Sequence, residues 1–275
     1  MHFIIDSTFN ISKEYAEKYN IKIVSLKVTL NNKTFIEQEN NTWEEFYNTL
    51  STLKEFPKSC CPTPEDYEIE IKNILNQDEN AQIFVLTFSS NLSGTYNSAR
   101  IACENFDAKN VCLIDLQTYT TSSKLILEDA IENANNGKTF EEIKQIILDD
   151  INKVWVKFIP NNMKALKKGG RVSLLTSIIA DTVNIKPVLE FKQGVFNCYK
   201  KTLGMGKAML TMLSAIPKTF KKINFMYIFE KENITKLKTL VQKMFGHTEF
   251  EFVELGPVAG THIGPNSIGV AVLEN

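Results

Sequence analysis

Residues 83–99 read Ile83-Phe84-Val85-Leu86-Thr87-Phe88-Ser89-Ser90-Asn91-Leu92-Ser93-Gly94-Thr95-Tyr96-Asn97-Ser98-Ala99. The continuous apolar run Ile83–Leu86 suits a strand covered on both faces better than an amphipathic helix. Hydroxyls then crowd the chain at Thr87, Ser89, Ser90, Ser93 and Thr95, around the single Gly94. Beyond them Tyr96, Ala99, Cys103 and Phe106 recur at helical spacing, so the stretch predicts strand, hydroxyl loop, helix. Unpaired N–H groups at such a helix start, with hydroxyls beside them, suit a negatively charged oxygen group. The same residues also suit a plain helix cap.

Upstream, Phe3–Ile5 reads as a buried strand ending in Asp6-Ser7-Thr8. Ligands of open parallel sheets bind beyond the strands' C-terminal ends, so this triplet is expected at the same crevice as the hydroxyl loop. Ser12 caps a short helix. Val24, Leu26, Val28 and Leu30 alternate with Ser25, Lys27 and Thr29 as a half-buried strand; Asn31-Asn32 turns the chain and Thr34–Ile36 returns, a flap beside the first sheet. Thr42-Trp43-Glu44-Glu45 is a capping box opening a helix to about Leu53. Phe56-Pro57-Lys58-Ser59-Cys60-Cys61-Pro62-Thr63-Pro64 reads as a loop pinned by three prolines. It either aims Ser59 or Cys60 at a ligand or is a rigid connector. Thr63 and Pro64 start a helix ending near Leu75.

Downstream, the strand Val111–Ile114 ends at Asp115, a helix runs from about Thr121 to Asn136, and Thr139 with Glu142 caps the next. Val154, Val156 and Phe158 alternate into Pro160. Strand-helix alternation argues for a parallel α/β domain over residues 1–158. Residues 159–275 change character. Gly169-Gly170 allow a sharp turn or a close approach and hold Arg171 on it. Ser173 caps an apolar helix, Leu174–Ala180, and Gln193-Gly194 turns a hairpin between Ile185–Phe191 and Val195–Tyr199. Two further helices (207–216 and 235–245) and strands at 223–229, 250–253 and 270–273 complete a mixed α+β domain. Between Leu255 and Val270 four glycines and two prolines surround His262, which reads as a glycine-rich loop dictating the path of a histidine.

Composition excludes several classes of function. Hydrophobic residues make up 43% and charged ones 23%, with a formal net charge of -1, ordinary for a globular chain and without the basic excess of a nucleic-acid binder. Arg100 and Arg171 are the only arginines, too few for an arginine-rich anion cradle. No apolar run approaches the roughly 20 residues that cross a bilayer, and Met1-His2 leads straight into a strand rather than a signal peptide. A cytoplasmic protein is expected. The five cysteines include no C-x-x-C pair and the histidines number three, so reduced thiols and no metal site are expected. Neither GxGxxG nor GxxxxGK[ST] follows a strand, so no nucleotide cofactor is expected.

Taken together, Asp6-Ser7-Thr8, Ser89–Tyr96, Leu166-Lys167-Lys168-Gly169-Gly170-Arg171-Val172-Ser173, Asn184–Leu189 and Gly260-Thr261-His262-Ile263-Gly264-Pro265 resemble the motifs of the DegV family in their order. That family comprises bacterial fatty acid-binding proteins, the acyl-carrying subunit of fatty acid kinase. The resemblance implies a two-domain DegV-like α/β fold with a lipid tunnel at the domain boundary. It implies that Ser59, Ser93 and His262 hydrogen-bond the carboxylate of a long-chain fatty acid. Cys60, Ser90, Gly94, Thr95 and Thr261 would support the head group, and Arg171 would face the acyl phosphate or the kinase. The implied partner is an ATP-dependent kinase, the implied ligand a fatty acid, and membrane contact would be transient. The chain itself would be a carrier, not an enzyme. Ser59-Cys60-Cys61-Pro62 stands where the family usually carries T-S-Q-P, and Asn91 replaces a family glycine.

Two other readings compete. Ser93 as nucleophile, His262 as base and Asp6 as its orienter would make an esterase-like lipid hydrolase, although Asn91-Leu92-Ser93-Gly94-Thr95 lacks both glycines of the G-x-S-x-G elbow. A regulatory module for another anionic metabolite is the other.

Overall fold

The computed structural model describes residues 1–37, 43–52, 56–161, 163–170, 184–229, 231–246 and 249–275. Strand β1 (His2–Asp6) passes through a short 3-10 turn into α1 (Lys13–Lys18), where the Ser12 hydroxyl accepts the Tyr15 N–H. Three short strands follow, β2 (Lys22–Val24), β3 (Lys27–Leu30) and β4 (Lys33–Ile36). Then come α2 (Trp43–Thr52), β5 (Lys58–Cys60), α3 (Pro64–Leu75), β6 (Ile83–Thr87), α4 (Thr95–Cys103) and β7 (Val111–Asp115). Helices α5 (Thr121–Asn135) and α6 (Phe140–Lys153) lead to β8 (Val154–Ile159) and the short α7 (Lys164–Lys168). The remainder is β9 (Ile185–Lys192), β10 (Val195–Leu203), α8 (Met205–Leu213), β11 (Lys222–Tyr227), α9 (Lys231–Phe245), β12 (Phe252–Glu254), α10 (Pro257–Ile263) and β13 (Ile268–Leu273).

These strands form three sheets. A parallel sheet has the order β2-β1-β6-β7, a six-stranded mixed sheet the order β10-β9-β8-β13-β11-β12, and a small antiparallel sheet the order β4-β3-β5. Side-chain alternation explains the layering. Ile4 and Val85 pack one face of the parallel sheet against Tyr67 and Ile71 of α3. Phe3, Ile5, Phe84 and Leu86 pack the other face against α5 and α6, with Phe84 stacked on Phe140 at 4.2 Å between centroids. The far side of that helical layer meets Val154, Val156 and Phe158 of β8, while Trp155 and Ile159 face α8 and α9. Two sheets therefore share one helical layer, and the fold is the expected mixed α/β. Among the described residues no helix is long and apolar enough to cross a membrane.

Several local readings hold. Thr63 and Thr139 each start a helix as expected; Thr139 forms its capping box with Glu142, and the structure adds one between Thr63 and Asp66. Asn31-Asn32 and Gln193-Gly194 each adopt positive φ at both positions, the turn that matches hairpin twist. Four readings are corrected. Residues 24–30 are not one strand, because the Leu26 N–H donates to the Ser7 hydroxyl (3.0 Å) and breaks the run between β2 and β3. The proline-pinned loop contains β5, paired with β3. β8 does not close the parallel sheet; it pairs antiparallel with β13 and β9, so the second sheet begins at Val154 rather than after residue 158. His262 lies not in a loop but in the last turn of α10, which Pro257 opens at its first position. The cap expected at Thr42, the helix over 174–180 with its cap Ser173, and Arg171 lie outside the described residues.

Asp6 locks the ends of β1 and β6 together. It is fully buried; Oδ1 accepts the Thr8 N–H (3.0 Å) and hydroxyl (2.6 Å), and Oδ2 accepts the Phe88 N–H (2.9 Å). Burial pushes its carboxyl up to about 6, against these hydrogen bonds, which favour the charged form. A raised folded pKa means that this group's stabilising contribution is complete below its ordinary value near 3.8 and is lost as pH rises through about 6. Asp6→Asn must turn an amide NH2 toward one of these donors, and is expected to lower stability by roughly 1–3 kcal/mol. Urea unfolding from pH 4 to 7 should also show a flatter pH dependence in Asp6→Asn than in wild type; identical slopes would remove Asp6 from the titration.

Candidate functional site

Where the three sheets approach one another, a cavity of about 150 Å³ opens. Its polar rim is Ser59 from β5, Ser93 and Gly94 from the loop ahead of α4, and His262 from α10. Phe88, Tyr119, Leu166 of α7 and Phe196 of β10 supply apolar wall.

Ser59 is aimed by strand register. β5 pairs antiparallel with β3, Ser59 opposite Val28, and the two-residue repeat turns Ser59 to the cavity and Lys58 and Cys60 away from it; Cys61, just past the strand, is exposed but also lines the cavity. Ser93 belongs to a local hydroxyl turn: its Oγ lies 2.9 Å from Thr95 Oγ1 and accepts the Thr95 N–H at 3.3 Å. Asn91 donates its side-chain N–H to the Gly194 carbonyl (2.9 Å), tying the hydroxyl loop to the β9–β10 hairpin. A Cβ on Gly194 would lie 2.6 Å from that Asn91 nitrogen, so the close approach needs glycine there.

His262 closes the rim. Its Nε2 lies 2.8 Å from Ser59 Oγ, across 203 residues of chain, and the Phe56 ring stands edge-on beside it at 6.3 Å. Gly169, at the end of α7, backs the imidazole so closely that a Cβ would sit 2.6 Å from Nδ1. The close-approach reading thus holds at Gly169, while Gly170, with open space around it and a φ of 72°, makes the turn.

The sequence-derived residues separate on this geometry. Ser59, Ser93, Gly94 and His262 share the cavity, and Thr95 is buried behind Ser93. Cys60 is exposed, Ser90 is exposed with its N–H shared between the Asp115 oxygens (3.2 and 3.3 Å), and Thr261 is buried but does not line the cavity. Cys61 was not singled out as a site residue, although strand alternation from Ser59 would have reached it. The Ser93–His262–Asp6 relay is not assembled: His262 Nε2 faces Ser59, and both Asp6 oxygens are taken by Thr8 and Phe88. Hydroxyl and imidazole donors over an apolar wall can hold the head of an amphiphilic anion.

Comparisons with known proteins agree with this architecture. The family model DegV, described as an uncharacterised protein of the DegV family, matches residues 1–275. A DegV domain-containing protein of Clostridium acetobutylicum is 28% identical, over 98% of both chains. A DegV lipid-binding protein of Thermotoga maritima superposes with a TM-score of 0.86 at 25% identity, covering 100% of this chain and 99% of its own. A stearic acid-binding protein of Eubacterium ventriosum gives 0.86 at 22% identity, covering 100% and 98%.

Gly169→Ala tests how the imidazole is seated. The φ of -71° at Gly169 suits any residue, so the collision with Nδ1 is the expected cost. That overpacking should lower stability by roughly 1–3 kcal/mol. The His262 ring signals in NMR should shift with the unfolding midpoint; unchanged ring signals would show that the backbone glycine does not set the histidine's place.

Proposed function

This chain belongs to the DegV family, and on that premise we propose that it binds a long-chain fatty acid and presents the carboxylate to an ATP-dependent fatty acid kinase for acyl-phosphate formation. The observation that carries the reading is the convergence of Ser59, Ser93 and His262, from three distant segments, on one apolar-walled cavity. The lipid-binding and stearic acid-binding proteins that share the fold support it.

The energetics favour such a guest. The cavity of about 150 Å³ has room for the head group and the first methylenes only; a whole chain of about 15 methylenes, once buried at roughly 0.8 kcal/mol each, would be worth on the order of 12 kcal/mol before the costs of association. A carboxylate drawn in with the chain must find donors, since an unpaired buried charge is expensive. Ser59, Ser93 and His262 supply them singly. A bidentate arginine would occupy both carboxylate oxygens, whereas single donors leave an oxygen free to be phosphorylated. Without a glycine-rich phosphate loop in the sequence, ATP is assigned to the partner. In the same proposal Arg171 faces the phosphate or the kinase surface, the chain works in the cytoplasm, and no hydrolysis occurs on it.

Mass spectrometry of denatured, freshly purified protein is expected to release a long-chain fatty acid. A chain that emerges empty and refuses added oleate and palmitate would contradict the proposal. Ser93→Ala and His262→Ala should each weaken oleate binding by roughly 1–3 kcal/mol. Arg171→Ala should reduce acyl-phosphate formation in a reconstituted kinase assay far more than it reduces oleate affinity; equal losses would make Arg171 structural.

A further inference from the structure

The helix that carries His262 is held at its start by side chains from the opposite end of the chain. The Val258 N–H, four residues before His262, donates to Glu37 Oε1 at 2.9 Å, and Glu37 Oε2 accepts the Ser7 hydroxyl at 2.8 Å. Ser7 in turn accepts the Leu26 N–H. The Gly256 N–H donates to Asn10 Oδ1 (2.8 Å), and the Tyr47 hydroxyl donates to the carbonyls of Leu255 (2.9 Å) and Gly256 (3.0 Å). A Cβ on Gly256 would lie 2.6 Å from Glu37 Oε1, and one on Gly260 would lie 2.3 Å from the Tyr47 ring. Glu37 is 1% exposed and does not line the cavity.

A buried carboxylate is a costly way to satisfy one helix N–H, because desolvation penalises its charge. Its neighbours show what it acts on. α10 is two turns long, a span of about 10 Å that moves as one piece, so its first turn governs where its last turn stands. We propose that Glu37 is a positioning residue for the head-group site: by fixing the start of α10 it sets His262 Nε2 against Ser59 Oγ, and so the grip of that pair on a carboxylate. The inference rests on the fatty acid reading above.

The clamp works in either protonation state of Glu37. Burial pushes its carboxyl up to about 7, with Asp6 and Tyr47 the titratable groups beside it. When ionised it accepts at both oxygens; when protonated, Oε1 still accepts the Val258 N–H while Oε2 donates to the Ser7 oxygen. A glutamine reproduces the second arrangement, whereas an alanine leaves the Val258 N–H unpaired.

The test compares wild type, Glu37→Gln and Glu37→Ala in binding oleate and oleyl alcohol, with NMR of the His262 ring in each protein. Glu37→Ala is expected to lose about tenfold in oleate affinity, equivalent to about 1.4 kcal/mol. Its affinity for oleyl alcohol, which lacks the carboxylate, should stay within about twofold. The His262 signals should shift in Glu37→Ala, and Glu37→Gln should restore both signals and affinity. Equal loss for both ligands, unshifted ring signals, or no rescue by glutamine would overturn the positioning role. Wild-type protein that binds no oleate would instead overturn the fatty acid reading, with the ring signals still deciding the role of Glu37. Should Glu37→Ala fail to fold, Ser7→Ala, which removes the donor to Oε2, carries the same comparison with an expected loss of about threefold.

Discussion

The 2.8 Å contact between Ser59 and His262 is set by constraints from separate parts of the chain. β3 holds Ser59 in register, Glu37, Asn10 and Tyr47 hold the start of the histidine's helix, and the bare backbone of Gly169 leaves room for the ring. A hydrogen bond of that length tolerates only small displacement. The site therefore depends on the packing of first-half elements against the last helix.

That packing follows from a shared layer. α5 is buried along most of its length, including Ser122, Ser123 and Lys124, because it lies between two sheets rather than at a surface. Helices α3 and α4 cover the outer face of one sheet, and α8 and α9 the outer face of the other. With the central helices common to both, the cavity inherits walls from both halves.

The chemistry offered at the rim is mild. Ser59, Ser93 and His262 present hydroxyl and imidazole groups at the rim, and Asp6, a buried carboxylate near the hydroxyl loop, is spent on holding β1 to Phe88. Nucleophilic catalysis needs a base on the serine and an orienter on the base. Here the relay expected on Ser93 is not assembled: the histidine meets Ser59, and the aspartate meets Thr8 and the Phe88 N–H. In the proposed fatty acid complex, affinity comes mainly from the apolar wall, and orientation from the rim.

The sequence alone determined what local chemistry encodes. The helix starts at Thr63-Pro64 and at Thr139, the hairpin turn at Gln193-Gly194 and the buried strand Ile83–Leu86, which the structure extends by Thr87, were legible because each depends on residues within a few positions of one another. Ser93 and His262 were legible as motif members, Ser59 through a partial match to a family loop, and the family through the order of its motifs. Tertiary structure alone decided the rest. Pairing with β3 turned a proline-rich loop into a strand and so chose Cys61 over Cys60 for the cavity. Pairing with β13 moved β8 into the second sheet, and the clamp from Glu37, Asn10 and Tyr47 accompanies a helix where glycines suggested a loop. Strand partners and buried polar contacts lie tens to hundreds of residues apart, and no local pattern records which distant group will meet a given N–H.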